Sequence, residues 1–351
     1  MDKAEIDAVL SPQASPVFCQ YYGVTTDGNF EGKNILNVSI DISETAARFN
    51  LTTLETEKIL NESRELLLTE REKRVRPGLD DKVLTAWNGL MLTAFARSYQ
   101  VMRDPAYKDI IVNNIAFIRK NLYTGRHLLR TFGKQKAKYH GYLDDYAFLI
   151  QGLLDSYEAL FEAEYLQLAA ELMAYVDTYF WDDTDSGYFY TSSEQEKLLH
   201  RLKDAHDQSI PSGTGIMLLN NLKFYTFTEE KSYLDHAEEI LKRYSEQIKS
   251  NPYAFASYLA GVDYYLRKPK EIVLMIPQDV TGEDILQSVF NTYQPNKAVM
   301  VFRGEIPESM QGNSLLKGKT AIAGKMTAYV CHNFACSRPV FTAAELSALL
   351  R

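Results

Sequence analysis

Adjacent carboxylates stand twice ahead of an oily run. In "RPGLDDKVLTAWNGL" they are Asp80 and Asp81, and in "HGYLDDYAFLIQGLL" they are Asp144 and Asp145. Carboxyls that share a concave, partly dry site push one another's pKa values apart, which equips one as acid and another as base. With room for a water between them, such a pair suits inverting cleavage of a glycosidic bond or hydration of an unsaturated sugar. The competing use is structural: an aspartate in a first helical turn satisfies unpaired N–H groups and the helix dipole, worth about 0.5–2 kcal/mol. Both uses stay open on the residues alone.

A repeat gives the acids a common frame. Asp81, Asp144 and Asp207 lie 63 residues apart, and each precedes by eight positions a glycine (Gly89, Gly152, Gly215) followed by two apolar residues. A weaker copy, "YAFASYLAGVD", carries Gly261 in the glycine position. Equivalent positions of successive repeats point to one end of a ring, so these acids are expected to gather at one mouth, with Asp80, Asp145 and His206 as neighbours. His140 and His206 stand in the loops that feed the acid-led helices, and two imidazoles flanking a carbon next to a sugar carbonyl would suit an epimerase. Trp87, Asn88 and Tyr146 complete the mouth as expected substrate-binding residues, Trp87 either as a stacking platform for a sugar ring or as a core aromatic.

Other motifs carry less chemistry. "PSGTG" (Pro211–Gly215) lacks the lysine and preceding strand of a phosphate loop. "WDDTDSGYF" has no register that supplies the glycine and glutamate of an EF-hand. "CHNFAC" sets Cys331, His332 and Cys336 close together without a fourth metal ligand. No metal and no cofactor are expected.

The elements that position these residues follow from apolar spacing. Segments near 80–99, 143–162, 208–227 and 252–267 are apolar around most of their circumference and read as interior helices. Between them lie amphipathic helices such as "SYLDHAEEILKRYSEQI", apolar at Leu234, Ala237, Ile240, Leu241, Tyr244 and Ile248. Glycine turns at Gly125 and Gly187 read as hairpins, with Gly28–Val38 as a further member. Inner helix, outer helix, hairpin is the repeating unit, and a concentric double ring houses both helix types. The fold class is therefore mainly α, a partial (α/α) toroid over 1–269. About three and a half units are present, too few to close a ring of six. From Lys270 a strand, helix, strand pattern predicts a small α/β appendage over 270–351.

Composition bounds the partners. The chain has 351 residues, 46% apolar and 12% aromatic, enough for a sizeable core. A net charge of −8 with no long basic run excludes the broad positive face that nucleic acid requires. No window of 18 uncharged apolar residues is present, so no membrane partner is expected, and the acidic start "MDKAEIDAVL" does not read as a secretory leader. A soluble, cytoplasmic chain with three free thiols is the expectation.

The segments "YYGVTTDGNFEGKNIL", "REKRVRPGLDDKVLTAWNGLM", "GYLDDYAFLIQGLLDSYE", "DQSIPSG" and "YVCHNFACSRPV" together resemble the YyaL-like, spermatogenesis-associated thioredoxin-domain family over nearly the whole chain. The resemblance implies an (α/α)6 toroid of the six-hairpin glycosidase type, related in fold to sugar hydrolases and N-acylglucosamine epimerases. It also implies that the family's N-terminal thioredoxin-like domain lies outside this chain. No catalytic set is carried over with it. The expected function is acid/base chemistry on a sugar or glycan, glycosidase-like or epimerase-like, with Asp81 and Asp144 leading. The alternative is a non-catalytic binding or scaffold portion of a thioredoxin-domain protein. An incomplete ring exposes apolar inner-helix surface, so a homodimer or association with the missing N-terminal portion is expected.

Overall fold

Helix signals are strongest where a side chain closes the first turn. The computed structural model describes residues 1–350 except 196–198, 204, 307–309, 311 and 334. Two compact units are formed, Met1–Asp80 and Asp81–Arg351, so 269/270 falls inside the second. The first contains α1 (Lys3–Val9), α2 (Ala14–Tyr21), α3 (Ile42–Arg48) and α4 (Thr53–Glu72). Capping boxes of Asp2 with Glu5 and Thr52 with Glu55 open α1 and α4. Ile6, Phe18, Leu60 and Leu67 form its core. Within the hairpin predicted at Gly28–Val38, the structure has a single antiparallel bridge, Phe30 to Lys33.

The second unit realises the inner and outer helix alternation. Inner helices are α5 (Thr85–Met102), α7 (Leu143–Leu160), α9 (Gly213–Thr228) and α11 (Ala256–Arg267). Outer helices are α6 (Pro105–Asn121), α8 (Ala163–Tyr179) and α10 (Lys231–Ser250). The inner helices pack in the order α5, α7, α9, α11, a partial α/α toroid. Helices α7 and α9 are buried along nearly their whole length, whereas α10 buries one stripe, Tyr233, Ala237, Ile240, Tyr244 and Ile248. Helix α5 departs from the all-round burial that its sequence predicts. It packs on α7, and Trp87, Met91, Val101 and Met102 remain exposed.

Glycine sets the spacing within the row. A Cβ on Gly89 would lie 2.5 Å from the backbone of Phe148 and Leu149, and one on Gly152 would lie 2.8 Å from the carbonyl oxygen of Gly89. Helices α5 and α7 therefore meet backbone to backbone, a contact worth the roughly 1 kcal/mol that glycine costs inside a helix. Helix α5 begins at Thr85 and not near 80, because β1 (Val83–Leu84) pairs antiparallel with β2 (Leu129–Gly133), which continues into β3 (Lys136–His140). Short turns at Gly125 and Gly187 are each closed by a bridge, Tyr123 to Leu128 and Trp181 to Tyr188.

The α/β element follows the predicted pattern. β4 (Lys270–Ile276) and β5 (Lys297–Arg303) are parallel across α12 (Glu283–Asn291), and β6 (Thr327–His332) and β7 (Ala335–Cys336) extend the sheet in the order β5-β4-β6-β7. Ile272, Leu274 and Val299 pack with Val289 of α12 and Leu346 of α13 (Ala343–Leu350), while Val273, Met275 and Met300 join the helical core. Both faces are covered, which is why β4 is a continuous apolar run.

A charged cluster is buried where the helices meet this sheet. Lys223 of α9 donates to Asp155 Oδ1 at 2.8 Å and to Glu158 Oε2 at 3.0 Å, both on α7. Glu158 Oε1 in turn accepts the N–H of Val299 on β5 at 3.0 Å. Among the described residues, no helix is long and apolar enough to cross a membrane.

Candidate functional site

The repeat brings Asp144 and Asp145 to the first turn of α7, whereas Asp207 lies in the loop ahead of Ser212, the residue that caps α9. Their use there is largely structural. Asp145 is fully buried, and its Oδ2 accepts the N–H of Tyr142 at 2.8 Å while Oδ1 accepts the N–H of Ala86 at 2.9 Å. Ala86 belongs to the first turn of α5, so one carboxylate serves the starts of two helices. Burial pushes the Asp145 carboxyl up to about 6, opposed by the Arg130 guanidinium 3.1 Å away and by the backbone N–H groups. Asp207 takes the N–H of Ser212 at 2.8 Å, and the N–H and hydroxyl of Ser257 at 2.7 and 2.6 Å. Ser257 lies in the first turn of α11, so here too a neighbouring helix is served.

Asp144 is half-buried, hydrogen-bonds Tyr190, and lies with Oδ1 2.6 Å from where a Cβ of Gly213 would stand. The repeat register favours Asp144 over Asp145, but burial selects Asp145. Asp81 is exposed in the extended segment before β1, and Asp80 ends the first unit, so neither opens a helix.

The remaining mouth candidates are placed as follows. His140 is exposed at the end of β3, its ring stacked on His127 at 4.3 Å. The His206 ring lies 5.0 Å from Phe255. Trp87 is 60% exposed, neither a core aromatic nor enclosed. Asn88 donates to the Leu84 carbonyl at 2.8 Å and accepts from Asn114 at 2.7 Å, stitching α5 to α6. Tyr146 is corrected outright as a ligand contact: it is 1% exposed, its hydroxyl accepts the N–H of Leu128, and its ring stacks on Tyr175.

A cavity of 510 Å³ opens at the other end of the row, where the C-terminal ends of α9 and α11 face the sheet. Tyr225, Tyr264 and Tyr265 line it together with Glu229, Glu271, Lys268, Lys317 and Lys319. Burial pushes the Glu271 carboxyl up to about 7, the Glu229 charge adds to this, and Lys319 and His332 oppose it. Glu229 is the left-handed residue that ends α9, and its carboxylate accepts the N–H and hydroxyl of Ser314 at 2.8 and 2.6 Å. Desolvation lowers the Lys319 pKa, opposed by Glu271. One carboxyl that holds a proton near neutrality beside an anchored carboxylate is equipped for proton transfer.

Cys331 and Cys336 also line this cavity, joined in a disulfide. That corrects the expectation of three free thiols. The pair faces itself across β6 and β7, and only Cys19 is free, and it is buried. The "CHNFAC" spacing, two cysteines around a tight turn, was the available signal for it. Glu229 and Glu271 carry no motif, since separate elements bring them together. Among the described residues, no three His, Cys, Asp or Glu side chains cluster in a way that would hold a metal ion.

No family model matches the chain. Spermatogenesis-associated protein 20 of Homo sapiens is 32% identical over 356 residues, covering 94% of this chain and 45% of its own length. The Rattus norvegicus protein of the same name is 31% identical over 92% of this chain and 43% of its own length. The chain thus spans less than half of these relatives. Among solved structures, cellobiose 2-epimerase from Bacillus thermoamylovorans is similar over 46% of this chain and 44% of its own, at 15% identity and a TM-score of 0.39. A family 76 α-mannanase from Bacteroides thetaiotaomicron is similar over 55% of this chain and 56% of its own, at 14% identity and a TM-score of 0.37.

Proposed function

The chain belongs to the family of spermatogenesis-associated protein 20, and from that premise we propose that it binds a sugar or sugar derivative in the cavity at the C-terminal ends of α9 and α11. Glu271 exchanges a proton with that ligand in an epimerase-like or glycosidase-like step. The observation that carries this reading is the placement of Glu271, a carboxyl held up to about 7, in a 510 Å³ cavity beside Glu229. Tyrosine rings give a sugar its stacking faces, and Lys268, Lys317 and Lys319 favour one that bears an acidic group. In this reading Asp145 and Asp207 hold helix starts, and neither Asp81 nor Asp144 contacts the sugar. A cytoplasmic location belongs to the same proposal.

Ligand-observed NMR with neutral and acidic sugars tests it, run on wild type, Glu271→Gln and the pair Asp81→Asn/Asp144→Asn. The expected result is a saturation-transfer signal that Glu271→Gln weakens at least several-fold and the aspartate pair leaves intact. Loss in the aspartate pair alone would return the site to the mouth and refute the cavity. The absence of any signal from wild type favours the scaffold role, for which the engaged carboxylates of Asp145 and Asp207 already speak.

A further inference from the structure

The disulfide is placed for chemistry more than for support. A bridge restrains the unfolded chain more as the loop it closes grows, and Cys331 and Cys336 are only five positions apart. A chain with extensive hydrophobic clusters among its described residues also has little need of such a staple. The bridge sits on β7, a two-residue strand at the sheet edge, where breaking it leaves the β4–β5 and β4–β6 ladders untouched. Its sulfurs differ in access: Cys331 is 1% exposed and Cys336 is exposed. Lys319 Nζ stands 3.6 Å from Cys336 Sγ, and Glu271 lies opposite Cys331 on the paired strand.

We propose that Cys331–Cys336 is a thiol–disulfide exchange site, opening onto the cavity and taking electrons from a small thiol or dithiol. The incoming thiolate attacks the exposed Cys336 Sγ. The S–S bond breaks, and the electron pair goes to Cys331 Sγ, which takes up a proton on the side where Glu271 stands. A second thiolate then attacks the incoming sulfur of the mixed disulfide, and Cys336 leaves as a thiolate beside the Lys319 ammonium. In sum, two external thiolates become one external disulfide, and the protein's pair takes up two electrons and one proton, leaving Cys331 as a thiol and Cys336 as a thiolate. The inference goes beyond the sugar reading and does not depend on it.

The test reads sulfur alone. The native full chain is treated with dithiothreitol without denaturant, then alkylated with iodoacetamide across pH 5 to 10 and mapped by peptide mass. Besides Lys319, the charged groups around the pair are Lys268, Lys317, Glu229, Glu271 and His332, so the profile is compared between variants and not read in isolation. Reduction and labelling of Cys336 without denaturant, with the buried Cys19 unlabelled, are expected. Lys319→Gln should slow alkylation of Cys336 at pH 7 by about tenfold, the shift of roughly one pH unit expected when a thiolate loses an adjacent cation, and Lys319→Arg should restore it. Cysteines that stay unlabelled until denaturant is added, or a Lys319→Gln profile that overlays wild type while its circular dichroism is unchanged, would overturn the proposal.

Discussion

Replacing Lys223 by methionine tests the buried charges that join the helices to the sheet. Methionine keeps much of the stem and removes the ammonium, leaving Asp155 and Glu158 without their shared cation. The three side chains are 8%, 3% and 6% exposed, so water cannot take its place. What remains is Arg97, 3.3 Å from Asp155 and 57% exposed, with the Val299 N–H and the more distant charge of Lys297 acting on Glu158. Removing one partner of a buried pair costs about 3–5 kcal/mol, a large part of a domain's usual 5–15 kcal/mol. The Asp155 carboxyl is strongly desolvated, but Lys223 and Arg97 outweigh that and hold it below its ordinary value. Its stabilisation is therefore present above the unfolded value near 3.9 and is lost as pH falls through the folded one. The Lys223 pKa is raised, so its share is present below about 10.4 and is lost only above that. In the variant, desolvation of Asp155 is opposed by less charge, its carboxyl moves up, and protonation relieves it. Urea unfolding followed by tryptophan fluorescence suits the measurement, because Trp87 and Trp181 both lie in the second unit. The expected deficit is full at pH 7.5 and smaller at pH 5. A deficit below about 1 kcal/mol, or one that grows with acid, would show that the cluster is not held as described.

Gly89→Ala places a Cβ 2.5 Å from the α7 backbone and should cost about 1–3 kcal/mol in thermal or urea unfolding, as overpacking does. The Asp145 carboxyl is held near 6, above its unfolded value, so wild type should gain stability as pH falls from about 6 towards 4. Asp145→Asn should remove that slope, as urea midpoints at pH 4.5 and 7 will report. The Glu271 carboxyl, followed by carbon-13 chemical shift, should titrate near 7, and a midpoint near 4.5 would remove the basis for its proton-transfer role. Asp81→Asn, at an exposed residue, should change stability by less than about 0.5 kcal/mol.

The helical framework was legible because burial leaves a period in the sequence. The stripe of α10 and the saturated apolar run of α7 differ in the way that outer and inner helices must, and the glycine position of the repeat, Gly89 and Gly152, is where α5 and α7 meet. Helix starts were less legible. Asp80 and Asp81 look like caps, but pairing of Val83 and Leu84 with β2 takes up the backbone there and delays α5 to Thr85. The choice between Asp144 and Asp145 depended on which of two adjacent side chains turns inward, which repeat spacing does not encode. The cavity left no trace at all, since Glu229, Glu271 and Lys319 come from a helix end, a strand and a loop.

The reach of Asp145 and Asp207 has a consequence for how the row assembles. The N–H of Ala86 waits for a side chain 59 residues further on, and that of Ser257 for one 50 residues back. Neither α5 nor α11 can finish its first turn within its own stretch of chain. As the chain emerges, α5 would fray at that end until α7 docked, and the Ala86 amide would exchange with solvent meanwhile, whereas α11 finds its partner carboxylate already made. Growth of the row is therefore coupled across repeats, unlike an array in which each unit is complete before its neighbour arrives.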